Sequence, residues 1–383
     1  MKNTPKLKIG FVFDDTLDSS DGVAQYVKTI GAWLSGQGHE VRYLVGETKL
    51  ESWQGGKIYS LSKNYKVRFN GNRLTIPGPA SRRQIKKILH EEKFDVLHVQ
   101  VPYSPLLASR VIRLAPKNTV ILGTFHIFPA GWLSQFGSRL LRIALANSKH
   151  RFDAMVSVSR ASAEFARVAY GFKTEILPNA VDISKFRSHG AVSKSDIVFL
   201  GRLVGRKGCL ELLKAVNILV KEPGMSKIKV RVAGAGGLES MLKNYVKENK
   251  LGSNVEFFGF VSEEEKAKLL AGARLACFPA LYGEAFGIVL IEAMAAGSGV
   301  VLGGDNPGYR SVLGEREELL VDPRDSEIFS QRLMSLLTNS KLAADLHTWQ
   351  EQAVKQYDVN VVGRQIESIY HSLIANKNKN EHN

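Results

Sequence analysis

The stretch KIGFVFDDTLDSSDGVAQYVKTIGAWLSGQGHEVRYLV, Lys8 to Val45, decides the fold class. Its apolar opening, Lys8–Phe13, predicts a short buried strand. A polar turn follows, then helical spacing of apolar residues from Val23 to Gln37, and Gly38-His39 leads into a second strand at Glu40–Val45. Strand, loop, helix and strand in that order form the unit of a parallel sheet.

The same alternation extends in both halves of the chain. Strands are predicted at Val96–Val99, Val120–Phe125 and Ala154–Val158, with helices at Ser81–Glu92 and Gly131–Lys149. A polar stretch at about 180–195 reads as a crossover, after which strands return at Ile197–Leu200, Lys229–Ala233, Val255–Phe258, Leu275–Phe278 and Gly299–Leu302. Helices Gly208–Val220, Leu238–Glu248, Glu263–Gly272 and Phe286–Ala296 lie between them. The expected architecture is α/β, with two Rossmann-like doubly wound domains at 1–180 and 181–354. A C-terminal helix at about 355–375 is expected to pack back on the first, and the polar residues 376–383 are expected to be disordered.

Composition narrows the function. A chain of 383 residues, 44% hydrophobic and 23% charged, suits two soluble globular domains. Cys209 and Cys277 stand alone, with no CxxC pair, which argues against a disulfide framework or a zinc site and fits a reducing cytosol. Neither a signal-like segment nor an 18-residue apolar run is present, so a membrane-spanning chain is not expected. Charge is uneven: residues 1–180 hold 26 Lys+Arg against 13 Asp+Glu, whereas the remainder holds 26 against 24. Such asymmetry points the first domain toward an anionic partner, either nucleic acid, anionic lipid or a phosphorylated substrate, unless it reflects a generally basic proteome.

Three segments of the second half follow predicted strands. In FLGRLVGRKG, Phe199–Gly208, Gly201 permits close backbone approach, and Arg202 and Lys207 set two cations beside a helix start, suited to a pyrophosphate; a solvated basic pair is the alternative. In LYGEAFGIVLIEAMAAG, Leu281–Gly297, Glu284 and Glu292 are eight residues apart. On one helix they would rise roughly 12 Å and differ by about 80° in direction, so the two acids can meet separate groups of one ligand. Backbone N–H groups of Phe286, Gly287 and Ile288 are expected at that helix start, where donors lack partners. Glu292 sits in an apolar run, where a carboxylate needs a partner. In VAGAGG, Val232–Gly237, Gly234 follows a strand as nucleotide-binding turns do, and an ordinary tight turn is equally open.

In the first half, Asp21-Gly22-Val23 opens the first helix, and Gly22 lacks a side chain that would block a ligand. His126 ends the strand TVILGTF, where open sheets present catalytic groups, although a histidine there is often structural. In the segment Ser81–His90, Arg82, Arg83, Lys86 and Lys87 share one helix face and Ile85, Ile88 and Leu89 the other. That pattern fits a helix lying on an anionic membrane, and equally an ordinary surface helix packing its apolar stripe inward. No D-x-D occurs, so a metal clamp on donor phosphates (Mg2+, for instance) is not indicated.

GRLVGRKG, the PNAVD segment Pro178–Asp182 and the E-x7-E of GEAFGIVLIEAMAAG together resemble the retaining glycosyltransferases of family 4, across essentially the whole chain. The resemblance implies the two-domain GT-B fold with a cleft between its domains, a nucleotide-sugar donor linked to GDP or UDP, and no tightly bound cofactor. It implies that Arg202 and Lys207 bind the donor phosphates, that Glu284 and Glu292 contact donor sugar and ribose, and that His126 hydrogen-bonds the transferred sugar. Asp21-Gly22-Val23 is similar to the family's GGV loop with Asp21 at the first glycine, and Gly22 meets the diphosphate. Front-face substitution follows by resemblance, since no carboxylate is evidently placed as a nucleophile. FDVLHVQVPYSP, the basic helix and GEAFGIVLIEAMAAG look most like phosphatidylinositol mannosyltransferases and related glycolipid enzymes, which implies a peripheral protein of the cytoplasmic membrane face with a lipid acceptor. Gln100 stands where that likeness leads one to expect an acid. Rival readings are transfer to a soluble, cell-wall or capsular acceptor, a GT-B epimerase, and a basic nucleic-acid-binding protein; the last lacks a recognisable motif. No obligate protein partner is evident.

Overall fold

β1 (Lys8–Phe13) is buried along its length apart from Lys8, as a parallel strand covered on both faces must be. In this computed structural model, which describes residues 5–19, 21–69, 72–100, 102–128, 148–187 and 195–381, β1 lies inside an eight-stranded sheet. Its other strands are β2 (Glu40–Val45), β3 (Ser52–Trp53), β4 (Gly56–Ser60), β7 (Val96–Val99), β8 (Val120–Phe125), β9 (Ala154–Ser157) and β10 (Glu175–Ile176), in the order β10-β9-β8-β7-β1-β2-β4-β3. All neighbours pair in parallel except β3 with β4. β5 (Asn64–Phe69) and β6 (Asn72–Pro77) form a separate antiparallel pair. The sequence reading missed β3 to β6: β3 is two residues long, and β4, β5 and β6 lack the continuous apolar run that marks strands buried on both faces. The expected helix Gly131–Lys149 lies outside the described residues apart from its last two.

A second sheet holds β11 (Ser195–Leu200), β12 (Val230–Ala233), β13 (Val255–Gly259), β14 (Ala273–Phe278), β15 (Val300–Gly304) and β16 (Leu320–Val321). All six pair in parallel, in the order β13-β12-β11-β14-β15-β16. The chain moves outward from β11 to β12 and β13, then returns to β14 on the other side of β11. That reversal makes the carboxyl ends of β11 and β14 the place where an open sheet binds ligands. In the first sheet the corresponding reversal lies between β1 and β7.

Contacts divide the chain into two compact units, Met1–Ala180 with Val359–Asn383, and Val181–Asp358. The C-terminal helix Val359–Glu381 puts Val359, Val362, Ile366 and Tyr370 into the core of the first unit, with Ile30 and Leu34 of the helix Gly22–Gly36. Residues 376–383 were expected to be disordered, but this helix continues to Glu381. Lys377 holds its last turns, with its Nζ 2.9 Å from Asp153 Oδ2 and 2.8 Å from the Thr119 carbonyl. The helix expected at Phe286–Ala296 begins instead at Ile288. Gly287 has φ +108°, which ends any helical continuation backward and leaves Glu284 in a loop. The helical rise and angle between Glu284 and Glu292 therefore do not apply.

Asp14 joins sheet to helix in the first unit. It follows β1, is buried, and accepts hydrogen bonds from the Ser104 hydroxyl and, at 2.8 Å, from the Ala108 N–H. The helix Leu107–Leu114, whose N-cap Leu106 offers no side-chain acceptor, is thus capped from another element. Burial pushes the Asp14 carboxyl up to about 6, against the hydrogen bonds that favour its charge. The folded state therefore holds a proton that the unfolded chain releases, and stability falls as pH rises from about 4 through about 6. Over that window the contribution is about 3 kcal/mol. Asp14→Asn should remove it: its Tm relative to the native chain should rise between pH 4 and pH 7 in a thermal melt. A Tm difference independent of pH would contradict this.

Candidate functional site

Two loops leave the adjacent strands β11 and β14. Gly201 to Gly208 follows β11, and Pro279 to Gly287 follows β14. They are tied together through the backbone, with Leu281 N–H donating to the Arg206 carbonyl at 2.9 Å. Asn306, at the end of β15, braces the second loop by donating from Nδ2 to the Ala280 carbonyl at 3.0 Å. The result is an ion cluster: Glu284 Oε1 lies 2.5 Å from Arg206 Nη1 and 2.8 Å from Lys207 Nζ. Burial alone would raise the Glu284 carboxyl, but Lys207 and Arg206 overcome it and hold the group below its ordinary value, so it stays ionised. Lys207 is lowered by burial, and by Arg206 and Arg202, more than Glu284 restores it. Two cations thus contact one carboxylate, Arg202 adds a third positive charge felt by Lys207, and a further anion would relieve Lys207.

The Gly-rich turn after β12 has a structural cause. Gly234 has φ +137°, and a Cβ there would lie 1.9 Å from the Gly201 carbonyl oxygen. Leu203 also donates its N–H to the Ala235 carbonyl at 3.0 Å, so the turn packs against the cationic loop. Gly201 itself is under no such constraint, since an added Cβ would meet nothing nearer than the Phe199 ring at 3.6 Å.

Glu292 stands apart from this cluster. It is buried on the helix Ile288–Ala296, with Oε1 2.8 Å from Lys266 Nζ. Burial lowers the Lys266 ammonium, but Glu292 and Glu263 overcome it and hold it above its ordinary value. For Glu292 burial prevails over Lys266 and pushes the carboxyl upward. The structure therefore brings Glu284 and Lys207 together and gives Glu292 a different partner. Phe286 is buried against Tyr357, ring centroids 5.5 Å apart, and Ile288 is the first helical residue after Gly287.

In the first unit, Gly22 begins its helix, and Asp21 caps it, Oδ1 accepting the N–H groups of Val23 and Ala24 at 3.0 Å each. His126 follows β8 and is buried; burial depresses its imidazole to about 3, so the ring is neutral. Its Nε2 lies 2.9 Å from Gln100 Oε1, and its ring packs edge-on to Tyr26. Arg82, Arg83, Lys86 and Lys87 are exposed on the helix Arg82–Glu92, while Ile85, Ile88 and Leu89 are buried in the core, so this helix has no apolar face left for lipid. Among the described residues no helix is long and apolar enough to cross a membrane, and no group of three or more His, Cys, Asp or Glu is placed to hold a metal ion.

Residues 20–185 match the model of Glycosyltransferase Family 4, and residues 182–353 that of Glycosyl transferases group 1. The chain is thus built of a Glycosyltransferase Family 4 domain followed by a Glycosyl transferases group 1 domain. It is 29% identical over 379 residues to the phosphatidyl-myo-inositol mannosyltransferase of Mycolicibacterium smegmatis, covering 96% of this chain and 94% of that protein. Among solved structures it resembles a Rickettsia africae glycosyltransferase (TM-score 0.75, 18% identity, 97% of this chain and 99% of that one). It also resembles Anabaena HepE in complex with UDP-glucose (TM-score 0.73, 17% identity, 96% and 100%). The fold is that of the GT-B glycosyltransferases.

Sequence reasoning missed three members of these sites. Arg206 was in plain view beside Lys207, but nothing local tied it to Glu284, 78 residues on. Lys266 answers the need of Glu292 for a partner, from 26 residues away. Gln100 was noticed without a role.

The Arg206 contact is testable without a ligand. Glu284 has a depressed folded pKa, so its stabilising contribution is present above the unfolded value near 4.5 and lost as pH falls through the folded one. Arg206→Met should cost about 2 kcal/mol at pH 7, a Tm drop of a few degrees, and less at pH 4. An equal or larger drop at pH 4 would count against the ion cluster.

Proposed function

We propose that this chain transfers a hexose, mannose in the first instance, from a GDP- or UDP-linked donor to a phosphatidylinositol-type lipid at the cytoplasmic membrane surface, with retention of anomeric configuration. The observation that carries the reading is the cluster of Arg206, Lys207 and Glu284 beside Arg202 at the ends of β11 and β14. Its excess of positive charge suits a diphosphate leaving group, whose negative charge grows as the sugar departs. Gly201 leaves room for the donor to come close to the backbone. Glu284, kept ionised by its cations, is suited to accept hydrogen bonds from sugar hydroxyls.

In the reaction so read, the bond between the anomeric carbon and the diphosphate oxygen breaks, its electron pair staying with that oxygen. The acceptor hydroxyl oxygen bonds to the anomeric carbon and gives its proton to the departing phosphate oxygen. His126 acts as a neutral hydrogen-bonding group to the sugar. The named function of the mycobacterial relative supports mannose and an inositol lipid, and the complex of HepE supports a nucleotide-linked sugar. Membrane contact in this reading is electrostatic: the exposed face of Arg82, Arg83, Lys86 and Lys87 contributes about 1 kcal/mol per cation near an anionic surface.

The test supplies labelled GDP-mannose and UDP-glucose to the full chain with phosphatidylinositol vesicles. Label should pass to lipid from one of these donors, and His126→Ala and Glu284→Ala should each nearly abolish transfer while remaining folded. Replacing the four basic residues by Glu should abolish co-sedimentation with anionic vesicles. Label found solely in water-soluble products, or full turnover in either site variant, would sink the proposal.

A further inference from the structure

The sites of the first unit contain a buried amide that the transferase reading does not use. Gln100 follows β7 and is fully buried; its backbone N–H donates to the Val12 carbonyl at 2.9 Å, which fixes its place beside β1. Its side-chain Nε2 points at the His98 carbonyl, 3.4 Å away, and its Oε1 at His126 Nε2, 2.9 Å away. Turning the amide over would set its oxygen against the His98 carbonyl oxygen, two acceptors with no proton between them. A carbonyl cannot donate, so the amide has one satisfied orientation. With its oxygen toward His126, the shared contact needs a proton on His126 Nε2.

We infer that Gln100 is a positioning residue that locks His126 in the neutral tautomer with its proton on Nε2, leaving Nδ1 as a bare acceptor. A neutral imidazole carries one ring proton, so donation by one nitrogen makes the other an acceptor. Burial keeps His126 neutral through the physiological range, so the choice is between tautomers. The neighbouring rings leave the contact intact: Tyr26 packs edge-on at 5.0 Å, and His98 is engaged by Tyr370 and Thr124, at 2.7 and 2.6 Å. The consequence for specificity rests on the proposed transferase function. A ring that accepts through Nδ1 selects a substrate group that donates, such as a sugar hydroxyl, and discriminates against the same position carrying fluorine, which accepts but cannot donate.

The direct test is a long-range proton–nitrogen correlation spectrum of the full chain labelled with 15N in its histidine rings, with His126 assigned from the signals missing in His126→Gln. At pH 7 His126 should show a protonated Nε2 and an unprotonated Nδ1. In Gln100→Leu that pattern should give way to mixed tautomers, with kcat/KM down roughly tenfold, about the worth of one lost hydrogen bond. Gln100→Glu, recorded below the pH at which its buried carboxyl ionises, keeps an oxygen opposite Nε2–H and sets an O–H against the His98 carbonyl, and should restore the native tautomer. A proton on Nδ1 in the native chain, a doubly protonated ring at pH 7, or a pattern indifferent to Gln100→Leu would each overturn the assignment. Should either Gln100 variant fail to fold, the native spectrum still decides. It needs neither donor nor acceptor, so it can fail while the transferase reading stands, and the reverse.

Discussion

A carboxylate cannot stay charged inside a protein without company, and Glu284 has two cations within 2.8 Å. Much of the second unit's local architecture serves that meeting. The loop after β11 brings Arg206 and Lys207, the loop after β14 brings Glu284, and the two strands are neighbours because the chain reverses its winding between them. A backbone bond from Leu281 to Arg206 and the brace from Asn306 fix the loops. Gly287 cuts the following helix short so that Glu284 can leave it. The acid fixes the cations, and their surplus charge is the basis of the proposed anion site.

The first unit uses neutral chemistry where the second uses charge. His98 and His126 are both buried and depressed to about 3 by burial, so neither carries a proton in excess at neutral pH. Each ring is held by uncharged hydrogen-bonding partners: Tyr370 and Thr124 for His98, Gln100 for His126. Tyr370 comes from the C-terminal helix, so the end of the chain helps to order the strands that carry these rings. Buried neutral networks rigidify a core when each member is satisfied, which suits groups that must be held in one orientation.

Much of the fold was legible in the sequence because parallel strands buried on both faces read as apolar runs, as in Lys8–Phe13 and Val120–Phe125. The strands between Ser52 and Pro77 lacked such runs and went unseen. The C-terminal residues after Ala375 looked like a tail because they are polar, yet Lys377 finds Asp153 and Thr119, which composition cannot foretell. Glu284, Lys207 and His126 stood out as candidates from their place after strands and from motif spacing. Their partners did not: Arg206 to Glu284, Lys266 to Glu292 and Gln100 to His126 are contacts across 78, 26 and 26 residues. Spacing nominated the candidates, and three-dimensional pairing sets their charge state.

The most direct measurement of the central claim is calorimetric titration of GDP, UDP and ADP into the full chain and into Lys207→Met. At least one nucleotide should bind, and the variant should weaken it by roughly tenfold or more, the scale of one charge-assisted contact. If no diphosphate binds, or if the variant binds as tightly as the native chain, the cations around Glu284 are a structural ion cluster and no donor site.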